Sequence, residues 1–426
     1  MTKKISLKSE KLAIHGGAKA VPDGTVKNWP PIDATDRKRV LASLEGANHA
    51  FGENCAAFQT EFAAWNGNKF AVATNSGTAA LHMALVACDV GCGDEVIVTA
   101  YSWSSSATCI LHHNAIPVFV DINFDTINMD EALIERAITK KTKAIIAVHL
   151  HGLPMNMEKV MAIARRHKLK VVEDACQAHG ATFKGRKVGT WGHCAAFSFN
   201  QNKCLCSGEG GMFVTDDEEM LKKATQVWSF GETRTPLEKR DYHAYALGWM
   251  YRMADLTAAF GRGQLSKLDK YLATVKENAE ALAAVLEGTP NLILPTAYKD
   301  AGHNWYNYTL RFDMKSLGHE HDASDFRDKL VKALNAEGVQ TGVWQKFILP
   351  AMTVFQAKNA YGHGCPWSCA QAQKVSYDLK QYPMAQKHSD SHTGMTIPLR
   401  APNGPKVAQL TARGIRKVME NTDQIK

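Results

Sequence analysis

A chain of 426 residues with 45% hydrophobic content can bury a large core and divide into two or three domains. It contains no run of about 18 apolar residues, so no membrane span is expected; its first residues lack the apolar segment of a secretory leader, which points to the cytoplasm. The net charge of +8 is spread over 140–143, 165–170, 184–187 and the C-terminal tail without interleaved aromatics, so no nucleic-acid partner is expected.

In chain order, residues 1–30 read as an arm rather than a domain. Strands are expected over 70–74, 95–99, 117–121, 142–149, 170–174, 195–199 and 211–215. Helices are expected over 76–87, opened by Ser76, and over 157–167. Continuous apolar strands separated by helices predict a mainly parallel α/β sheet covered on both faces. The texture changes after about Asp255. A long helix over 265–286, an alternating strand over 306–312, a helix over 323–337 closed by Gly338, and a last helix over 405–420 predict a smaller α+β domain. The expected boundaries are 1–30 for the arm, 31–265 for a large domain and 266–426 for a small one. The ten cysteines show no Cys-x-x-Cys pair, so neither a zinc site nor a disulfide framework is expected.

Four loops carry the chemistry. Asn75-Ser76-Gly77-Thr78 lies between a strand and a helix, where free amides and hydroxyls can hold a phosphate. The plainer alternative is that Ser76 only caps the helix. Thr99-Ala-Tyr101-Ser-Trp103 follows the second strand, and Trp103 can stack on a flat ring or fill the core. Glu173-Asp174-Ala-Cys-Gln177-Ala-His179 closes the strand over 170–174. Acidic groups there are costly unless paired, and ligands bind at the carboxyl ends of parallel strands. Asp174 can therefore hold a cationic ring nitrogen, or cap the next helix. The segment from Ser198 to Gly211 delivers Lys203 into a glycine-rich loop. A lysine that loses part of its hydration there is freed to attack a carbonyl; a surface lysine beside a turn would look the same. Neither a Walker loop nor Gly-x-Gly-x-x-Gly is present, which argues against a Rossmann dehydrogenase. Cradle, aromatic, carboxylate and lysine, in that order, meet the four needs of pyridoxal 5'-phosphate.

With Pro117-Val-Phe-Val-Asp121 and His149-Leu-His-Gly152 added, the chain from about Leu12 onward resembles the DegT/DnrJ/EryC1/StrS aminotransferases, which are fold-type I pyridoxal phosphate enzymes. The resemblance implies a large domain with a mainly parallel seven-stranded sheet flanked by helices, plus the smaller C-terminal domain. It implies that Lys203 is the covalent anchor and proton carrier. Asp174 would pair with the ring nitrogen, Gln177 would lie near the phenolic oxygen, and Trp103 would stack on the ring. Gly77, Thr78 and Ser198 would bind the phosphate. It further implies a homodimer with shared sites, in which a Gly-x-Asn-Tyr-Arg segment of the partner helps hold the phosphate. This chain departs there, with Met250 in Gly248-Trp-Met-Tyr251-Arg252. Val343-Trp-Gln345, Leu349-Pro-Ala351 and Gly364-Cys-Pro-Trp-Ser368 are similar to the cyclitol branch, including L-glutamine:scyllo-inosose aminotransferases, and to the aminohydroxybenzoate synthases. The expected reaction is a ping-pong transfer from glutamine or glutamate to a keto-cyclitol such as scyllo-inosose, as in aminocyclitol antibiotic biosynthesis. A nucleotide-linked or free keto-sugar, or an aromatising synthase, is the alternative. Sugar 3-dehydratases of this group carry histidine where Lys203 stands. A non-catalytic regulatory homologue should have lost Lys203 or Asp174. Specificity is expected in the small domain and in the loop over 231–245.

Overall fold

The computed structural model describes residues 6–233 and 242–425. Seven strands form one sheet: β1 (Phe70–Thr74), β2 (Glu95–Thr99), β3 (Ile116–Val120), β4 (Thr142–Val148), β5 (Lys170–Asp174), β6 (Cys194–Ser198) and β7 (Gly211–Thr215). Their order is β1-β7-β6-β5-β4-β2-β3. β7 is antiparallel to both β1 and β6, and the other pairings are parallel. The apolar runs expected as strands are the strands found.

The sheet is covered on both sides, and the pleat sorts the side chains. Val96 and Val98 join one core cluster with Leu81 and Leu85, whereas Ile97 joins another with Val160 and Ile163. Helix Gly77–Ala87 is apolar around most of its circumference and is almost wholly buried. Helix Met157–His167 has a wet face and covers the other side of the sheet.

The reversal of β7 sets up the site edge. Gly211 pairs with both Thr74 and Ser198, so the ends of β1 and β6 meet the start of β7. The packing there leaves no room for a side chain at two glycines. A Cβ on Gly211 would lie 2.5 Å from the Ser76 carbonyl, and one on Gly77 would lie 2.7 Å from Ser198 Cβ.

The C-terminal part surrounds a three-stranded antiparallel sheet of Leu292–Ile293, Tyr308–Phe312 and His392–Met395. Helices Leu268–Leu286, Ala323–Ala336 and Pro405–Met419 pack around its core of Leu282, Leu310, Leu330 and Ile415. The helix expected over 265–286 starts at Leu268 instead, and Asp255–Leu265 forms a separate helix before it. Ser266 Oγ donates to the Gly263 carbonyl at 2.7 Å, a local bond that closes the first helix. Lys267 then reaches Asp33 and Asp36.

The N-terminal arm clasps this C-terminal core. Leu12 is fully buried in it, and Val21 donates its amide to the Glu337 carbonyl at 2.9 Å. The buried Glu337 carboxylate accepts from the amides of Ala13 and Ala20 and pairs with Lys417.

Residues 343–382 turn back onto the large sheet. Leu349 donates to the Ala100 carbonyl at 2.8 Å, Tyr377 OH donates to the Pro117 carbonyl at 2.9 Å, and Phe355 packs edge-on to Phe119. All ten cysteines are free thiols. Among the described residues no helix is long and apolar enough to cross a membrane.

Candidate active site

The carboxyl edge of the large sheet opens into a cavity of 410 Å³. Gly77, Thr78, Trp103, Asp174, Gln177, Ser198 and Lys203 all line it. Residues from four separate loops thus share one wall.

Ser76 caps helix Gly77–Ala87, its hydroxyl accepting from Ala79 N at 3.1 Å. The capping alternative is therefore correct for Ser76, and Gly77 and Thr78 present the helix start to the cavity. That start carries partial positive charge and suits an anion. Ser198, at the end of β6, faces it across the close contact with Gly77.

Alternation along β5 separates the two acids. Glu173 is fully buried away from the cavity. Its carboxylate accepts from Gly189 N, Trp191 N and Gly192 N at 2.8, 2.7 and 2.6 Å and lies 2.9 Å from His149 Nε2. Asp174 faces the cavity. It accepts from Ser106 Oγ at 2.7 Å and from Cys176 N at 3.2 Å. The bond to Cys176 N closes a turn, not a helix, so the capping alternative does not hold for Asp174. Ser102 and Ser106 hydroxyls lie 2.8 Å apart and extend the chain of bonds behind it. Burial, then Asp174, pushes the Cys176 thiol well above its usual range, so it stays protonated.

Gln177 is oriented by accepting from His151 N at 2.9 Å. His151 is buried beneath Trp344. Burial, followed by His392, His303 and Lys203, holds its imidazole well below the usual histidine range, so the ring is neutral.

Lys203 donates its amide to the Asn200 carbonyl at 2.8 Å, and its own carbonyl accepts from Trp29 Nε1 at 3.1 Å. Its Nζ lies 3.5 Å from the phenol of Tyr306. Trp103 is 52% exposed, which removes the core alternative for it, and tilts toward Trp344 with ring centroids 6.2 Å apart.

Sequence reading assigned no role to Ser106, Asn200, Asn202, Glu209 and Tyr306, all on the cavity wall, and the wall also includes Trp344 of the branch-like segment Val343-Trp-Gln345. The alternation over 306–312 signalled a strand but not that Tyr306 would reach Lys203.

The segment around Met250 sits beside the cradle of its own chain. Asn75 donates its amide to the Tyr251 carbonyl at 2.7 Å and its side chain to the Met250 carbonyl at 3.3 Å. Tyr251 turns inward, its OH 2.9 Å from His82 Nδ1, while Met250 is half exposed. Within the loop expected to set specificity, residues 234–241 lie outside the described residues.

The set fits pyridoxal phosphate: a helix start with no room for a Cβ, an oriented carboxylate, a flat aromatic wall and an amine. Among the described residues no group of side chains could hold a metal ion.

The DegT/DnrJ/EryC1/StrS aminotransferase family matches residues 30–393. A GDP-perosamine synthase of Caulobacter vibrioides is 37% identical over 314 residues, covering 73% of this chain and 82% of that one. A Streptoalloteichus tenebrarius protein named for L-glutamine:3-amino-2,3-dideoxy-scyllo-inosose aminotransferase activity is 34% identical over 343 residues, 78% of this chain and 79% of that one. The solved structure of a 3-amino-5-hydroxybenzoic acid synthase superposes with a TM-score of 0.82 at 27% identity, over 93% of this chain and 98% of its own.

Proposed function

We propose, for a chain that belongs to the DegT/DnrJ/EryC1/StrS aminotransferase family, that it moves an amino group from glutamine or glutamate to an uncharged keto-cyclitol such as scyllo-inosose. The coarser activity is that of the family, which is pyridoxal phosphate-dependent amino transfer. The choice of acceptor rests on the charge of the cavity.

Among the described residues Lys203 is the only cation on the cavity wall, beside the acids Asp174 and Glu209. A nucleotide-linked sugar brings a diphosphate, whose usual protein partners are arginine and lysine. A cyclitol brings only hydroxyls. Asn200, Asn202, Glu209 and Ser105 offer the donors and acceptors that hydroxyls use. The likeness to the Streptoalloteichus tenebrarius protein supports the same acceptor class.

Position on the cavity wall supports the following roles. Gly77, Thr78 and Ser198 would hold the phosphate. Asp174, oriented by Ser106, would pair with the ring nitrogen and keep it protonated, and Gln177 would lie near the phenolic oxygen. When bound, the cofactor supplies an electron sink for the carbanion formed at the donor's α-carbon. Lys203 Nζ takes the proton from that carbon and redelivers it, acting as general base and then acid. Trp103, on the cavity wall beside Trp344, would stack on the cofactor ring.

The exposed side chains Phe230, Tyr242, Tyr245, Leu247 and Met250 supply an apolar face for a second copy of the chain. A single-chain mass in solution would exclude that dimer.

An acceptor screen with glutamine as donor tests the reading. Scyllo-inosose, free keto-sugars and nucleotide-linked keto-sugars are each offered at one concentration. Transfer to scyllo-inosose is expected, and transfer only to a nucleotide-linked sugar would overturn the cyclitol assignment.

A further inference from the structure

We propose that Tyr306 is the positioning residue that aims the Lys203 amine, and that Arg400 fixes Tyr306 for that task; the proposal rests on Lys203 being the proton carrier.

Lysine carries its amine on a flexible four-carbon stem. Among the described residues no carboxylate pairs with the Lys203 amine. Its neighbour is Tyr306, which is 4% exposed. The phenol oxygen lies 3.5 Å from Nζ, and the ring centroid lies 4.8 Å from it. A phenol accepting one N–H of the amine fixes the direction of the end of the stem.

Tyr306 is itself held at both backbone ends. Its amide donates to Asn304 Oδ1 at 2.9 Å, and Asn304 Nδ2 donates to the carbonyls of Gln177 and His179, both at 3.0 Å. Its carbonyl accepts from Arg400 Nη2 at 3.3 Å.

Arg400 is the unexpected element. It is 1% exposed, and no carboxylate pairs with it among the described residues. Its Nε and Nη1 have no hydrogen-bond partner. Burying a cation in this way is costly. What surrounds it are two rings: its guanidinium lies 5.2 Å from the Trp29 ring and 5.4 Å from the Tyr306 ring. Each ring also reaches Lys203, Trp29 through the lysine carbonyl and Tyr306 through the amine. Arg400 thus braces both contacts of the lysine with the C-terminal part of the fold.

The test uses Tyr306→Phe in the cofactor-loaded full chain, which keeps the ring and removes only the oxygen. Four quantities are read: the melting temperature, the rate and KM of the half-reaction with glutamate alone, and the rate at which the cofactor-free chain gains visible absorption on mixing with pyridoxal phosphate. The expected result is an unchanged melting temperature and KM, with both rates lower by roughly 10- to 100-fold. Wild-type values for both rates would overturn the proposal. So would a defect fully cured by excess cofactor, which would mark a role in retention only. Lys203→Ala, run alongside, separates the layers. If it reacts with glutamate at the wild-type rate, the reading of the site fails; if it is inactive while Tyr306→Phe is normal, only the positioning role fails.

Discussion

Strand pleating gives Glu173 and Asp174 different work although they adjoin in sequence. Glu173 closes the 189–192 loop and His149 around a fully buried carboxylate, while Asp174 points into the cavity with two of its acceptor sites already committed. Their substitutions should separate accordingly. Glu173→Ala leaves several buried donors unpaired and should cost about 3 kcal/mol or more of stability, read as a lower denaturant midpoint. Asp174→Asn should leave the midpoint near wild type and lower turnover on the order of 100-fold, because an amide cannot stabilise a protonated ring nitrogen. Equal stability loss in both would contradict this division. Asp174 and Lys203 were legible in the sequence because their motifs are local and end apolar strands. Tyr306 was not: it arrives from a segment more than 100 residues past Lys203, and an alternating pattern tells which way a side chain faces but not what it meets.

Among the elements, the arm contributes more than its irregular sequence suggests. Leu12 is fully buried among Leu282, Leu310 and Ile415, and Glu337 anchors the amides of Ala13 and Ala20. Leu12→Ala should therefore cost about 3 kcal/mol, the usual range for a leucine removed from a packed core. An unchanged melting temperature would mean that the arm is dispensable. The strands of the large sheet were readable almost to the residue, because burial on both faces writes continuous apolar runs. The break at Ser266 and Lys267 was not, since the apolar spacing continues across it and only a side-chain bond to Gly263 marks the stop. The return of residues 343–382 to the large sheet was equally hidden. It is a long-range packing choice made by Leu349, Phe355 and Tyr377.

For the molecule as a whole, buried neutral histidines set a pH limit. Burial lowers His82 to about 2, His179 to about 3 and His392 to about 4. Unfolded, each titrates near 6.5. Between those values the unfolded chain binds protons that the native chain refuses. Stability is therefore full above about pH 6.5 and is lost as pH falls below it, by about 1.4 kcal/mol per pH unit for each such group. Melting temperatures measured from pH 7.5 down to 5 should drop steeply, and a flat profile would contradict the neutral assignment. The central claim, that this cavity uses Lys203 to pass an amino group to an uncharged polyhydroxylated ketone, is tested most directly by following the visible absorption of the cofactor-loaded protein through one cycle. Glutamine should abolish the absorption and scyllo-inosose should restore it, while Lys203→Ala should do neither. Restoration by a nucleotide-linked keto-sugar but not by scyllo-inosose, or a full cycle in Lys203→Ala, would contradict the account.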